Sequence, residues 1–282
     1  MSWFPSVVPG SFRSGDNLHF GELMKTLSGL LLALALCVFG GEALAQISDL
    51  NSAINKAGRQ RMLSQRMAKA YFQIGQQVEV DRSKKILDAS VALFDRQLVE
   101  LKNFAPTPEI KDNYLKLEKS WLAYKDLLVG AAPSPDNGRK VLEISDQVLG
   151  LAHQGTVLLE KQSTTSAGRL VNVSGRQRML SQRMAKFYQA IAWGVGDDKS
   201  AGDLEKARKE FAAAHQELAA APSNTPQIKD SLELVKQQWM FFENALNQKA
   251  GPDKRPQTAV ATTSERILEE METVVGLYEK LK

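Results

Sequence analysis

Gly58-Arg59-Gln60-Arg61-Met62-Leu63-Ser64-Gln65-Arg66-Met67-Ala68-Lys69 returns without a change at Gly175 to Lys186. Twelve identical residues at a separation of 117 mark an internal duplication, so the 282-residue chain holds two copies of one module. The likeness continues outside the twelve. Asn55 matches Asn172 and Phe94 matches Phe211 at the same offset. Pro108, Ile110, Lys111, Asp112 and Trp121 match Pro226, Ile228, Lys229, Asp230 and Trp239 at 118. Val141, Ser145, Leu149 and Leu158 match Val260, Ser264, Leu268 and Leu277 at 119. Single-residue insertions between periodic stretches account for the drift. The copies span residues 46–165 and 166–282, and residues 1–45 stand apart as a leader.

Each copy reads as four helices. Glycine and proline gather between periodic stretches and are scarce within them, which places candidates in copy one near 48–76, 80–104, 107–129 and 138–165. Thr107-Pro108 and Thr225-Pro226 set a capping hydroxyl before a first-turn proline. No stretch alternates with the period of a strand. The absence of a strong breaker from Ser163 to Ser166 leaves open a continuous helix joining the copies. Lengths near 25 residues with short loops predict an all-α fold: two tandem antiparallel four-helix-bundle modules related by a pseudo-two-fold axis.

The leader has the marks of export. Met24-Lys25-Thr26 precedes an apolar run from Leu27 to Phe39, and Ala43-Leu44-Ala45 ends it before Gln46. A charged start, a short apolar run and an A-x-A site make 24–45 a secretory signal peptide, with 1–23 read as an upstream start artefact. The run is short for a membrane span, and no later run of about 18 apolar residues follows. A periplasmic protein is expected, a retained signal anchor being the alternative. Cys37 is the only cysteine and lies in the apolar run, so the mature chain offers neither a disulfide framework nor a thiol nucleophile.

Charge is distributed unevenly. Residues 46–282 carry 34 basic and 29 acidic side chains, and eight of the basic ones sit in the two twelve-residue motifs. Outside the motifs acids outnumber bases, 29 to 26. The positive excess is therefore local, which suits a site for an anion better than a nucleic-acid surface. His19, His153 and His215 are scattered, and no His/Asp/Glu set has metal-ligand spacing. Ser64 and Ser181 have no histidine in their motif to activate them. No catalytic residue, metal or cofactor is expected, and no enzyme.

Projected at 100° per residue, the motif helix has two stripes. Ala53, Ala57, Gln60, Leu63, Ser64, Met67, Ala70 and Tyr71 form the one expected to face the bundle. Ile54, Gly58, Arg61, Gln65, Lys69 and Phe72 form the other, flanked by Asn55, Arg59, Met62 and Arg66. An ordinary surface helix has a single apolar stripe. A second one, carrying a glycine that costs about 1 kcal/mol of helix propensity relative to alanine, predicts a close helix–helix contact lined with cations. The natural partner is the same stripe of the other copy, which would bring Arg61 beside Arg178. Two guanidinium groups in one crevice repel unless an anion lies between them, and their paired planar donors suit a planar oxyanion.

Asn-x-x-Gly-x-x-Arg-Met-x-Ser-x-Arg, present from Asn55 to Arg66 and from Asn172 to Arg183, resembles the P-box of NarX-type nitrate sensors. The fuller run Gly-Arg-Gln-Arg-Met-Leu-Ser-Gln-Arg is still more similar to the PilJ-type domain at the N-terminus of type IV pilus chemotaxis transducers. The resemblance implies a periplasmic four-helix bundle that pairs, with one arginine per protomer holding nitrate at the interface. By position these are Arg61 and Arg178. Arg59-Gln60, Leu63 and Gln65 depart from the nitrate-sensor pattern. No second span, kinase or methyl-accepting region follows, so the chain looks like two sensor modules without an output.

The expected ligand site is therefore Arg61, Arg178, Asn55, Asn172, Gln65, Gln182, Gly58 and Gly175, with Arg59, Arg66, Arg176 and Arg183 as secondary candidates. The expected partner is a small anion, nitrate or nitrite first, and beyond it a membrane sensor or a pilus or chemotaxis protein. An alternative is an envelope interaction protein that docks such a partner through the P-box stripe. Met62, Met67, Met179, Met184, Trp121 and Trp239 are expected in the core.

Overall fold

In a computed structural model of the chain, Met1 and residues 47–282 are described, apart from 131, 164, 165 and 282. Apart from Met1, the expected leader, with the expected signal peptide at 24–45 and Cys37, lies outside the described residues. The described residues from 47 onward belong to one compact unit. The chain is all-α: α1 (Leu50–Gly75), α2 (Val80–Phe104), α3 (Pro108–Gly130) and α4 (Pro135–Glu160) form the first module, and α5 (Ser166–Ala192), α6 (Asp198–Ala219), α7 (Pro226–Leu246) and α8 (Arg255–Glu279) the second. No helix among the described residues is long and apolar enough to cross a membrane.

Local chemistry sets the helix ends. The Thr225 and Thr107 hydroxyls accept from the amides of Ile228 and Ile110, each at 3.3 Å, satisfying first-turn donors that have no intrahelical partner. Ser134 does the same for Asn137, with Pro135 at the first helical position. The fourth helix therefore starts three residues before the expected Gly138. It also stops at Glu160, not 165. The continuous joining helix does not form: Glu160 meets Asn172, and Asp146 meets Lys186. Pairs that close in sequence order from one end and open from the other place α4 and α5 antiparallel, so the chain doubles back between the modules.

Within each module the first helix packs on the second and fourth, and the third packs on the fourth. The most extensive helix–helix contact of all joins the modules, α1 against α5. Contacts advance along both helices together: Gly58 faces its counterpart Gly175, Lys69 reaches Gln182 and Gln76 reaches Gln189. This register requires α1 and α5 to run parallel, as a two-fold axis along them demands. Helices α4 and α8 straddle this seam on opposite sides, and α2, α3, α6 and α7 lie outside.

Both stripes of the motif helix are buried. Ala53, Leu63, Ser64, Met67 and Ala70 face their own bundle, while Ile54, Arg61, Gln65, Lys69 and Phe72 are sealed by the seam. Met62, Met67, Met179 and Met184 are in the core. Trp121 is buried, stacked on Phe94 at 4.1 Å, with its indole N–H donating to Asp95. Trp239 stacks on Phe211 at 4.4 Å but is only half-buried. The carboxylate of Asp95 has no counterpart there, since the matching residue is Ala212.

Candidate functional site: an arginine pair at the module seam

Two glycines let the motif helices touch. A Cβ added to Gly58 would lie 3.8 Å from the Cα of Gly175, 3.2 Å from Arg61 Nη2 and 3.5 Å from Arg178 Nη2. Gly175 mirrors this: its Cβ would lie 3.9 Å from the Gly58 Cα, with the same two Nη2 atoms at 3.5 and 3.3 Å. The crossing thus brings both guanidinium groups to one place, and both arginines are fully buried.

Each arginine reaches across the seam for a backbone carbonyl. Arg61 Nη2 donates to the Asn172 carbonyl and Arg178 Nη2 to the Asn55 carbonyl, both at 3.2 Å. Arg178 also donates to Asn55 Oδ1 at 2.8 Å. The asparagine amides are themselves anchored, Asn55 to Glu279 at 2.6 Å and Asn172 to Glu160. Gln65 and Gln182 sit elsewhere. Their amides donate to the Ser145 and Ser264 carbonyls on the fourth helix of their own modules, at 3.0 and 2.9 Å, so those donors are engaged in packing.

The remaining cations stitch the modules together. Arg66 and Lys69 on α1 share Glu265 on α8, Lys69 at 2.5 Å. Arg183 and Lys186 on α5 share Asp146 on α4, at 3.1 and 2.8 Å. Burial alone pushes Glu265 upward, but Lys69 and Arg66 outweigh it and hold the carboxyl at about 2. Burial pulls both lysines down to about 8 in spite of their acidic partners. Arg59 pairs with Glu272 at 2.6 Å and Arg176 with Glu210 at 2.6 Å. All four secondary candidates are therefore in ion pairs, and Arg61, Gln65, Lys69 and their counterparts Arg178, Gln182 and Lys186 are buried between the modules, while Arg176 remains exposed.

The two central arginines differ in one respect that the motif does not reveal. Arg178 Nη1 donates to Glu272 Oε2 at 2.7 Å. At the matching position of copy one, 119 residues earlier, stands His153. Its Nδ1 lies 3.4 Å from Arg61 Nη1, and among the described residues no Asp or Glu forms an ion pair with Arg61. Burial, then Arg178, then Arg176 push Arg61 down to about 9. Burial also lowers Arg178, but Glu272 opposes it. For Glu272 burial raises the carboxyl, and Arg178 and Arg59 more than reverse this, to about 2. His153 and Glu272 escaped the sequence reading because scattered histidines and acids carry no spacing signal. Aligning the copies at offset 119 sets the two opposite each other and was the available clue.

No group of three or more His, Cys, Asp or Glu side chains among the described residues is placed to hold a metal. The geometry is that of a charged seam at a pseudo-two-fold axis, with one buried cation lacking a carboxylate.

Comparison with known proteins fits this arrangement. A region of 135 residues, 46% of the chain, is 28% identical to methyl-accepting chemotaxis protein McpN of Pseudomonas aeruginosa, and it covers 25% of that protein. The chain thus spans about a quarter of the length of this relative. No solved structure matches it. The PilJ family, described as the type IV pili methyl-accepting chemotaxis transducer N-terminal region, matches at residues 43–146 and again at 161–265. With both motif helices inside those matches and most of the sequence covered, the chain belongs to the PilJ family and carries its domain twice.

Proposed function

We propose that this is a non-enzymatic sensor protein of the periplasm, which binds a small oxyanion between its two arginine-bearing P-box helices. Residues 46–165 and 166–282 act as two modules fused into an internal dimer. Nitrate and nitrite are the first candidates. The observation that carries the reading is the glycine crossing, where Arg61 and Arg178 are both fully buried on neighbouring parallel helices. A buried guanidinium without a counterion is costly, and a planar oxyanion supplies the charge and paired acceptors that arginine recognises. Asn55 and Asn172 frame the site through their carbonyls, and Gly58 and Gly175 allow the approach. A membrane-bound chemotaxis or pilus protein would take the signal onward, in keeping with the name of the relative.

Titration calorimetry and thermal melts with nitrate, nitrite, phosphate and sulfate test this. A bound anion at 100 times its dissociation constant should add about 2.7 kcal/mol of stability, and Arg61→Gln should remove the gain. No heat and no shift in melting temperature with any of the four would rule out the anion reading.

A further inference from the structure

The duplicated site is not symmetric: both arginines are buried with an unpartnered Nε, but what covers them differs. Glu272 on α8 covers Arg178, whereas His153 on α4 covers Arg61. On the far side of His153 from Arg61 lies a groove of about 310 Å³, lined among others by His153, Arg176, Asp203, Lys206 and Glu210. The counterparts of the last three in copy one, at offset 117, are Ile86, Ala89 and Leu93. One side is thus polar at three positions where the other is apolar. The matched arginines follow suit: Arg59 joins Arg178 on Glu272, while Arg176 turns outward to Glu210.

Arg61 is fully buried, and its Nε, like that of Arg178, has no hydrogen-bond partner. Arginine offers five N–H donors, and its contacts here engage only Nη1 and Nη2, one apiece. His153 is exposed and stands between this guanidinium and the groove. Because Nδ1 accepts from arginine, which can only donate, the imidazole proton sits on Nε2, leaving a second donor. The charge balance is specific as well. Arg176 is matched by Glu210, Lys186 by Asp146, and Arg183 by Asp203 at 3.8 Å as well as by Asp146, so of these four cations Arg61 is the one without an ion pair.

We propose that the two halves have different roles. Glu272 serves as a built-in carboxylate that closes the Arg178 half, and one monovalent oxyanion binds the Arg61 half, off the two-fold axis. The anion enters through the groove and is held by Arg61, by His153 and by Arg176. This rests on the anion-binding reading above and adds to it the location, the stoichiometry and the charge of the ligand. A divalent anion would leave an unmatched negative charge at a desolvated site, so nitrate should bind and sulfate should not.

The test is calorimetry and melting of the full chain with sodium nitrate and sodium sulfate at constant ionic strength. The native protein should bind one nitrate per chain. His153→Glu, which copies the closed half onto the open one, should weaken nitrate binding at least tenfold while its melting temperature without nitrate stays level or rises. Arg176→Gln should weaken binding severalfold. His153 and Arg176 are on the surface side of the seam, and circular dichroism would check that both variants fold. Two nitrates per chain, undiminished binding in His153→Glu, or sulfate binding as tightly as nitrate would each overturn this inference while leaving the anion reading standing. Absence of any nitrate response in the native protein would remove both.

Discussion

The two halves of the seam are built from identical twelve-residue stretches, yet they solve the same electrostatic problem differently. Around Arg178 the buried charge meets Glu272, which Arg59 also holds. Around Arg61 the matching position is His153, and Arg176, the counterpart of Arg59, pairs with Glu210. A duplicated motif therefore does not imply a duplicated site. Burial penalises both guanidinium groups, and what distinguishes them is a residue on another helix that the duplication did not preserve.

That comparison can be broken or sharpened in four ways. The glycine crossing is the part that should be symmetric, and it carries the largest effect. Gly58→Leu and Gly175→Leu should each cost more than about 3 kcal/mol, because the side chain must displace a helix as well as a flexible neighbour. Urea melts giving unequal costs, or under about 1 kcal/mol for either, would contradict the close parallel pairing.

The arginines should behave unequally. Arg178→Met breaks a buried ion pair and should cost about 3 kcal/mol. Arg61→Met removes a buried charge that has no carboxylate, so without added anion it should lie within about 1 kcal/mol of the native protein, or above it. Equal losses in chemical denaturation would mean the two halves are electrostatically alike.

Acid should act on the closed half and on the Glu265 cluster. Glu265 and Glu272 titrate near 2 in the folded chain, below the ordinary 4.5. Their stabilisation is therefore present above about 4.5 and is lost as pH falls towards about 2, by an amount on the order of 2 kcal/mol for each. Glu272→Gln should flatten the stability curve in that window, and an unchanged curve would show that Arg178 is not stabilised by this carboxylate. Smaller still is the contrast at the outer helices. Trp121→Phe loses a buried hydrogen bond to Asp95 and should cost about 1–2 kcal/mol, while Trp239→Phe, half-buried and opposite Ala212, should cost less in the same melts.

Much of the fold was legible beforehand, for identifiable reasons. Proline after threonine, glycine clusters and the 3.6-residue period mark all eight helices, and the expected starts of α2 and α3 match to within a residue. The errors lie where a weak signal met tertiary packing. Ser134 caps α4 early, and the join after Glu160 bends although no strong breaker stands there, since α5 gains its buried contacts by folding back onto α1 and α4. The second stripe of the motif helix was read from Gly58 and Arg61 together, and both face the other copy. Gln65 and Gln182 could not be placed by projection, because the Ser145 and Ser264 carbonyls that take their amides lie on a helix 80 or more residues away.

The amino-acid sequence by itself determined the duplication, the eight helices and the cation-lined stripe, which follow from local periodicity and from comparison of the chain with itself. The choice of one arginine per copy came from the resemblance to the nitrate sensors. Only the tertiary structure decided that α1 and α5 run side by side, and that Arg178 has a carboxylate while Arg61 has an imidazole. Those partners lie 94 and 92 residues along the chain from their arginines. Periodicity says which face a residue occupies and not what stands opposite, so the counterion of a buried charge is settled by packing.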